Sequence, residues 1–226
     1  MKLNRSEGSR VVAISALLFC LLSPIPVKAL TVVYHFGDVY SGASPASTSQ
    51  PWVEAVFEDV SPGTVSLSIS NPNLTGSENV GNMYFNLNPN LNPLDLTFTA
   101  DGGSGGFVAP TISTGTDNFK AGGGKYDILF AFSEGSACQR FTSGESVEYL
   151  ISGISGLMAS DFAYLSTAAS GHSPFFAATH VERIGSESQS GWIAVTSVPE
   201  PRFATLAGLA LSLWFGRSLW RRYAKG

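Results

Sequence analysis

The residues of this chain with the means to do chemistry are few, and their spacing is loose. His35, His172 and His180 are the imidazoles. His172 and His180 stand eight residues apart, with no HExxH or other tight ligand spacing, so a shared zinc ion would depend on the fold bringing them together. Read locally, His172 belongs to a polar turn and His180 to a strand. Cys138 sits in Glu134-Gly135-Ser136-Ala137-Cys138-Gln139-Arg140, which offers no base to activate a thiolate, and reads as a loop or strand-end thiol. Glu54 with Glu58, and Glu145 with Glu148, are carboxylate pairs of the kind that hydrolyse glycosides when held about 5–10 Å apart in a cleft. On strands the same spacing gives a solvated face. Asp95, Asp101, Asp117 and Asp127, with asparagines nearby, offer oxygen ligands for a loop calcium, without EF-hand or RTX spacing. Serines abound, but no G-x-S-x-G elbow is present. The glycine runs at 101–106 and 121–124 lack dinucleotide or Walker spacing and read as flexible loops. No catalytic residue, metal ligand set or cofactor is assigned.

The elements that must position these residues read as strands. Thr64-Val65-Ser66-Leu67-Ser68-Ile69-Ser70 alternates strictly, putting Val65, Leu67 and Ile69 on one face. Residues 52–60 continue the pattern on the other side of Ser61-Pro62-Gly63-Thr64, so residues 52–70 are expected to form a hairpin. Further strands are expected at 30–36, 83–87, 94–99, 126–132, 147–151, 175–184 and 192–196, with a short helical turn within 157–164. Many short strands parted by turn signals, and no sustained helical period, predict an all-β single domain, a jelly-roll-like β-sandwich.

Both ends of the chain read as targeting segments. Lys2, Arg5 and Arg10 precede an apolar run at 11–22, a Ser23-Pro24-Ile25-Pro26 break and small residues at Val27 and Ala29. This predicts a signal peptide over 1–29, cleaved after Ala29. Cys20 raises a lipoprotein alternative, against which Phe19 stands where a small residue is required. With Cys20 removed, Cys138 has no internal disulfide partner. At the other end, Val198-Pro199-Glu200-Pro201 leads through Arg202 into an apolar run at 203–216, then a basic end with Arg217, Arg221, Arg222 and Lys225. A membrane-spanning helix needs about 20 residues, and about 17 at the least. The uninterrupted run falls short of that unless Arg217 snorkels and Ser218, Leu219 and Trp220 extend it. Trp214, Trp220 and Tyr223 suit the interfacial belt, and the cationic end is expected on the cytoplasmic side, leaving the domain outside.

Between the ends, residues 30–197 carry four basic against fifteen acidic residues, a net charge of −11 that the whole-chain value of −4 hides. Such a domain repels phosphate backbones, which argues against nucleic-acid binding. High negative charge suits solubility outside the cell.

The order of a Pro-Glu-Pro motif, one hydrophobic helix and an arginine-rich terminus resembles the PEP-CTERM sorting signal of Gram-negative bacteria, over residues 198–226. The segments WVEAVFEDVSPGTVSLSIS, MYFNLNP, YDILFAF and GHSPFFAATHVERIG look like the bodies of PEP-CTERM proteins. The resemblance implies processing by an exosortase, transient tethering in the inner membrane, final placement at the cell surface or outside the cell, and an exopolysaccharide-producing, biofilm-type context. It implies no activity for the domain. Two readings stay open. One is a non-enzymatic envelope or matrix protein, with exopolysaccharide as partner and tyrosines and tryptophans on one sheet face stacking on sugars. The other is a secreted hydrolase of polysaccharide or glycoconjugate using a carboxylate pair.

Overall fold

The computed structural model describes residues 29–121, 123–169, 173–186 and 188–197. Every strand pairing is antiparallel. Among the described residues there is no α-helix, only three 3-10 turns at Pro93–Asp95, Ala137–Gln139 and Ala159–Phe162. The protein is all-β, as its alternating runs predict.

The first sheet has the order β1 (Thr31–Phe36), β3 (Val53–Ser61), β4 (Thr64–Ser70), β10 (Ser146–Ser152) and β6 (Thr97–Ser104). The second runs β11 (Thr167–Ala168), β8 (Gly124–Ala131), β5 (Asn79–Phe85), β12 (Ala177–Ile184), β13 (Gln189–Val195) and β2 (Asp38–Gly42). To these, β7 (Thr111–Ala121) adds on β8, and β9 (Phe141–Thr142) adds on β5. The chain passes from the first sheet to the second at Gly37, between β1 and β2.

Strand alternation places the core. In β4, Val65, Leu67 and Ile69 are fully buried while the serines between them are not. In β3, Val53, Ala55 and Phe57 point the same way, and the expected hairpin forms with Phe57 opposite Leu67. From the second sheet Met83, Phe85, Ile128, Phe130, Val181 and Ile193 join the same apolar cluster. Phe57 meets Phe85 edge-on at 5.3 Å and stacks on Phe162 at 4.4 Å, so the turn Ala159–Phe162 packs into the core. That turn is pinned twice. The Tyr34 hydroxyl donates to the Phe162 carbonyl, and the Ala159 amide donates to Asp59 Oδ1 at 2.6 Å.

Three departures from the sequence-based expectation have physical causes. The glycine run at 101–106 is not a loop throughout, because β6 continues to Ser104. Its pairing steps from Gly102 opposite Glu148 to Ala100 opposite Tyr149, so Asp101 is the extra residue of a bulge. Gly103 has φ 125°, and a side chain there would run into the Ser146 carbonyl. The strand expected from Leu94 begins at Thr97 instead, because the Asn92 side chain accepts from the Leu94 amide at 3.2 Å and starts the turn Pro93–Asp95. Finally, β7 shows no apolar alternation. Its covered positions are filled by small and polar residues such as Gly115 and Asp117, and its pairing with β8 is interrupted between Thr114 and Phe119.

No helix among the described residues is long and apolar enough to cross a membrane. Val27 of the expected cleavage site, the expected sorting motif Val198, Pro199, Glu200 and Pro201, the apolar run and the basic residues Arg217, Arg221, Arg222 and Lys225 lie outside the described residues. Ala29 lies just before β1, and β13 ends at Val195, shortly before the motif.

Candidate functional site: an aromatic face on the second sheet

On β12 the inward residues Ala177 and Val181 join the core, so Ala178, His180 and Glu182 face outward. The register sets Tyr84 of β5 opposite Ala178, and Trp192 of β13 opposite His180. A small residue between two large rings leaves room for them to approach. Tyr84 and Trp192 meet at 5.9 Å over Ala178, which is fully buried beneath them.

The row continues in both directions. Tyr126 of β8 lies 5.6 Å from Tyr84, Tyr40 of β2 lies 6.5 Å from Trp192, and Phe175 lies 4.9 Å from Tyr40. His180 stacks on Trp192 at 4.5 Å with an interplanar angle of 27°. Each such ring pair adds about 0.5–1.5 kcal/mol beyond area burial. Tyr126 is fully buried and Tyr84 nearly so, whereas Tyr40, Trp192 and His180 are half-buried and present ring area to solvent.

Burial sets the electrostatics of this face. Desolvation pushes the Tyr126 phenol up to about 12; Ser166 beside it offsets part of the effect, and Tyr84 adds to it. Tyr84 is raised by burial, and Tyr40 by burial first and then by Tyr126 and Tyr84. The tyrosines therefore remain neutral over the physiological range. At the rim, His180 Nδ1 lies 3.4 Å from Glu182 Oε1. Tyr84 and Tyr126 form a small second core, while the half-buried, mutually tilted rings of Trp192 and Tyr40 offer apolar area with polar atoms at its edge, suited to a ligand that has an apolar face and hydroxyl groups.

The residues singled out for chemistry are scattered or already engaged. His35 pairs with Glu54 at 3.0 Å on the outer side of the first sheet, and Glu58 lies exposed on the same face. Glu145 holds a turn, accepting from the Thr142 amide at 2.6 Å and the Gly106 amide at 2.9 Å. Glu148 is exposed on β10. Asp127 accepts from the Leu87 amide at 3.0 Å and the Asp117 amide at 2.8 Å, and Asp95 from Asn92 at 3.1 Å. Asp101 is exposed at the β6 bulge. Cys138 is an exposed thiol on the turn Ala137–Gln139, 3.3 Å from the Ser136 hydroxyl. His172 lies outside the described residues. No group of three or more His, Cys, Asp or Glu among the described residues is placed to hold a metal ion.

Strand parity alone would have found Trp192 and His180 as outward residues. Tyr40 and Tyr126 were hidden from it. Tyr40 lies where the β13–β2 register steps between Trp192 and Ile193, and Tyr126 lies beside the β7–β8 irregularity. Comparisons with known proteins match no family model, no curated protein and no solved structure.

Proposed function

We propose that this chain is a secreted, exosortase-processed protein of the cell envelope or extracellular matrix, associated with exopolysaccharide and not catalytic. Its two antiparallel sheets are read as the halves of a jelly-roll-like β-sandwich, delivered by a signal peptide over 1–29 and a sorting signal over 198–226. The shared core between the sheets supports the sandwich reading. The order of motif, apolar run and basic end supports the sorting reading.

The observation that carries the polysaccharide association is the half-buried rings of Trp192, Tyr40 and His180 on the outer face of the second sheet, backed by the buried Tyr84 and Tyr126. Aromatic area that the main core does not use, half-open to water, has an occupant to gain. Of the carboxylate pairs that could run a hydrolytic mechanism, Glu145 is tied to backbone amides and Glu54 to His35, while Glu58 and Glu148 stand exposed on strands of the first sheet.

The test is a combined binding and turnover assay on the full chain with exopolysaccharide purified from an exosortase-positive host. Retention on the polysaccharide without new reducing ends is the expected result. Release of shorter sugars would overturn the non-catalytic reading in favour of a hydrolase. Neither retention nor release would remove the polysaccharide from the account.

A further inference from the structure

Six large apolar side chains are notably exposed among the described residues: Val60, Leu94, Val108, Met158, Tyr164 and Leu165. Four of them lie in or beside two 3-10 turns, Leu94 in Pro93–Asp95, and Met158, Tyr164 and Leu165 around Ala159–Phe162. The segments bearing these turns are tied together, because Asn88 donates through its amide to the Asp161 carbonyl at 2.7 Å and through its side chain to Asp161 Oδ1 at 2.9 Å.

A groove of ≈ 120 Å³ adjoins this junction, and its lining includes the apolar Leu91, Pro93 and Leu165, the ring of Tyr164, and the carboxylates Asp117 and Asp127. The two aspartates differ. Both oxygens of Asp127 accept backbone amides, which fixes it. No described residue pairs with the Asp117 carboxylate, and Asp117 holds a left-handed φ of 50°. A groove lined by apolar side chains, an exposed tyrosine and a carboxylate without a cation, in a domain of net charge −11, complements a ring that has an apolar face and a positive charge. The volume limits the ligand further. It is well below the roughly 300–1,000 Å³ of sites that enclose a drug-sized molecule, so it admits one group of a longer chain.

We propose that this groove is a subsite for a single amino-sugar residue of a polysaccharide, its ring face on Tyr164 and its ammonium on Asp117. The assignment rests on the polysaccharide-associated reading above and specifies the class of sugar, which that reading leaves open. Neutral glycans would lose the charge-assisted contact, and uronates would be repelled.

Calorimetric titration of the full chain with four probes tests it: a glucosamine tetramer, its N-acetylated form, a glucose tetramer and a galacturonate tetramer. The glucosamine tetramer should bind at least about tenfold more tightly than the others, as expected of a hydrogen bond to a charged group. Asp117→Asn should abolish that preference, and asparagine tolerates the left-handed backbone, so the fold should survive. Tyr164→Ala should weaken all glycans, while Trp192→Ala should leave the amino-sugar preference in place. Equal binding of charged and neutral tetramers, or an unchanged preference in a folded Asp117→Asn variant, would overturn the subsite and leave the polysaccharide reading standing. Spermidine competing as well as the glucosamine tetramer would also overturn it, making the groove a general cation site. Failure of every tetramer and of the host polysaccharide to bind would overturn both.

Discussion

At the scale of single residues, the same side-chain type serves two ends that only its neighbours decide. Phe57 is wholly enclosed by Phe85, Phe162 and Tyr34, and its ring anchors the turn Ala159–Phe162 to both sheets. Phe57→Ala should cost about 3–5 kcal/mol in urea unfolding, the range for a buried aromatic deleted without collapse. Trp192 is half-buried on the outer face, so Trp192→Ala should cost clearly less than Phe57→Ala in the same assay while weakening retention on the host polysaccharide. Tyr126 makes a pH prediction. Its phenol titrates at 10.0 when unfolded and at about 12 in the fold, raised chiefly by burial. Below pH 10 both states keep the proton and the contribution is complete. Between pH 10 and 12 the unfolded chain loses its proton first, so stability falls, by on the order of 2 kcal/mol for this group. The upward shift of buried Tyr34 acts in the same direction. Urea unfolding at intervals across that window, with tyrosinate absorbance recorded alongside, measures both. A Tyr126→Phe variant should lose part of the slope.

At the scale of elements, the sequence is most readable where one face of a strand is core. The β3–β4 hairpin, β8 and β10 follow from period-two alternation and turn residues, while β12 and β13, whose burial does not alternate throughout, were legible only as runs over 175–184 and 192–196. Legibility ends at strands whose side chains have no inner face to mark them. β6 is exposed almost throughout and carries little apolar signal, β7 puts Gly115 and Asp117 at its covered positions, and the form of both is set by pairing with β10 and β8. Glycine is ambiguous in the same way. Gly103 and Gly106 look alike in the sequence, yet Gly103 is held at φ 125° against the Ser146 carbonyl while Gly106 faces open space. Gly103→Ala should therefore destabilise by at least about 1–3 kcal/mol, the usual cost of a strained backbone. Gly106→Ala should stay within about 0.5 kcal/mol of the parent. Thermal unfolding of the two variants side by side checks the contrast.

At the scale of the whole molecule, charge and apolar segments are sorted along the chain. The basic residues concentrate in 1–29 and 198–226, leaving a domain of net charge −11 between two apolar runs. The charge partition was fully legible, because it follows from composition and order alone. The aromatic face and the Tyr164 groove were not, because each gathers residues far apart in the sequence, such as Tyr40 with Phe175 and Asp117 with Tyr164. On the function proposed above, this arrangement makes the chain an exported substrate of a sorting protease. Intact-mass spectrometry of the protein recovered from an exosortase-positive host, beside an exosortase-deleted control, tests it most directly. A mature species that begins at Leu30 and has lost the apolar run and basic end, in the positive host alone, is the predicted result. Mature protein from that host that still carries residues 198–226 intact would contradict it.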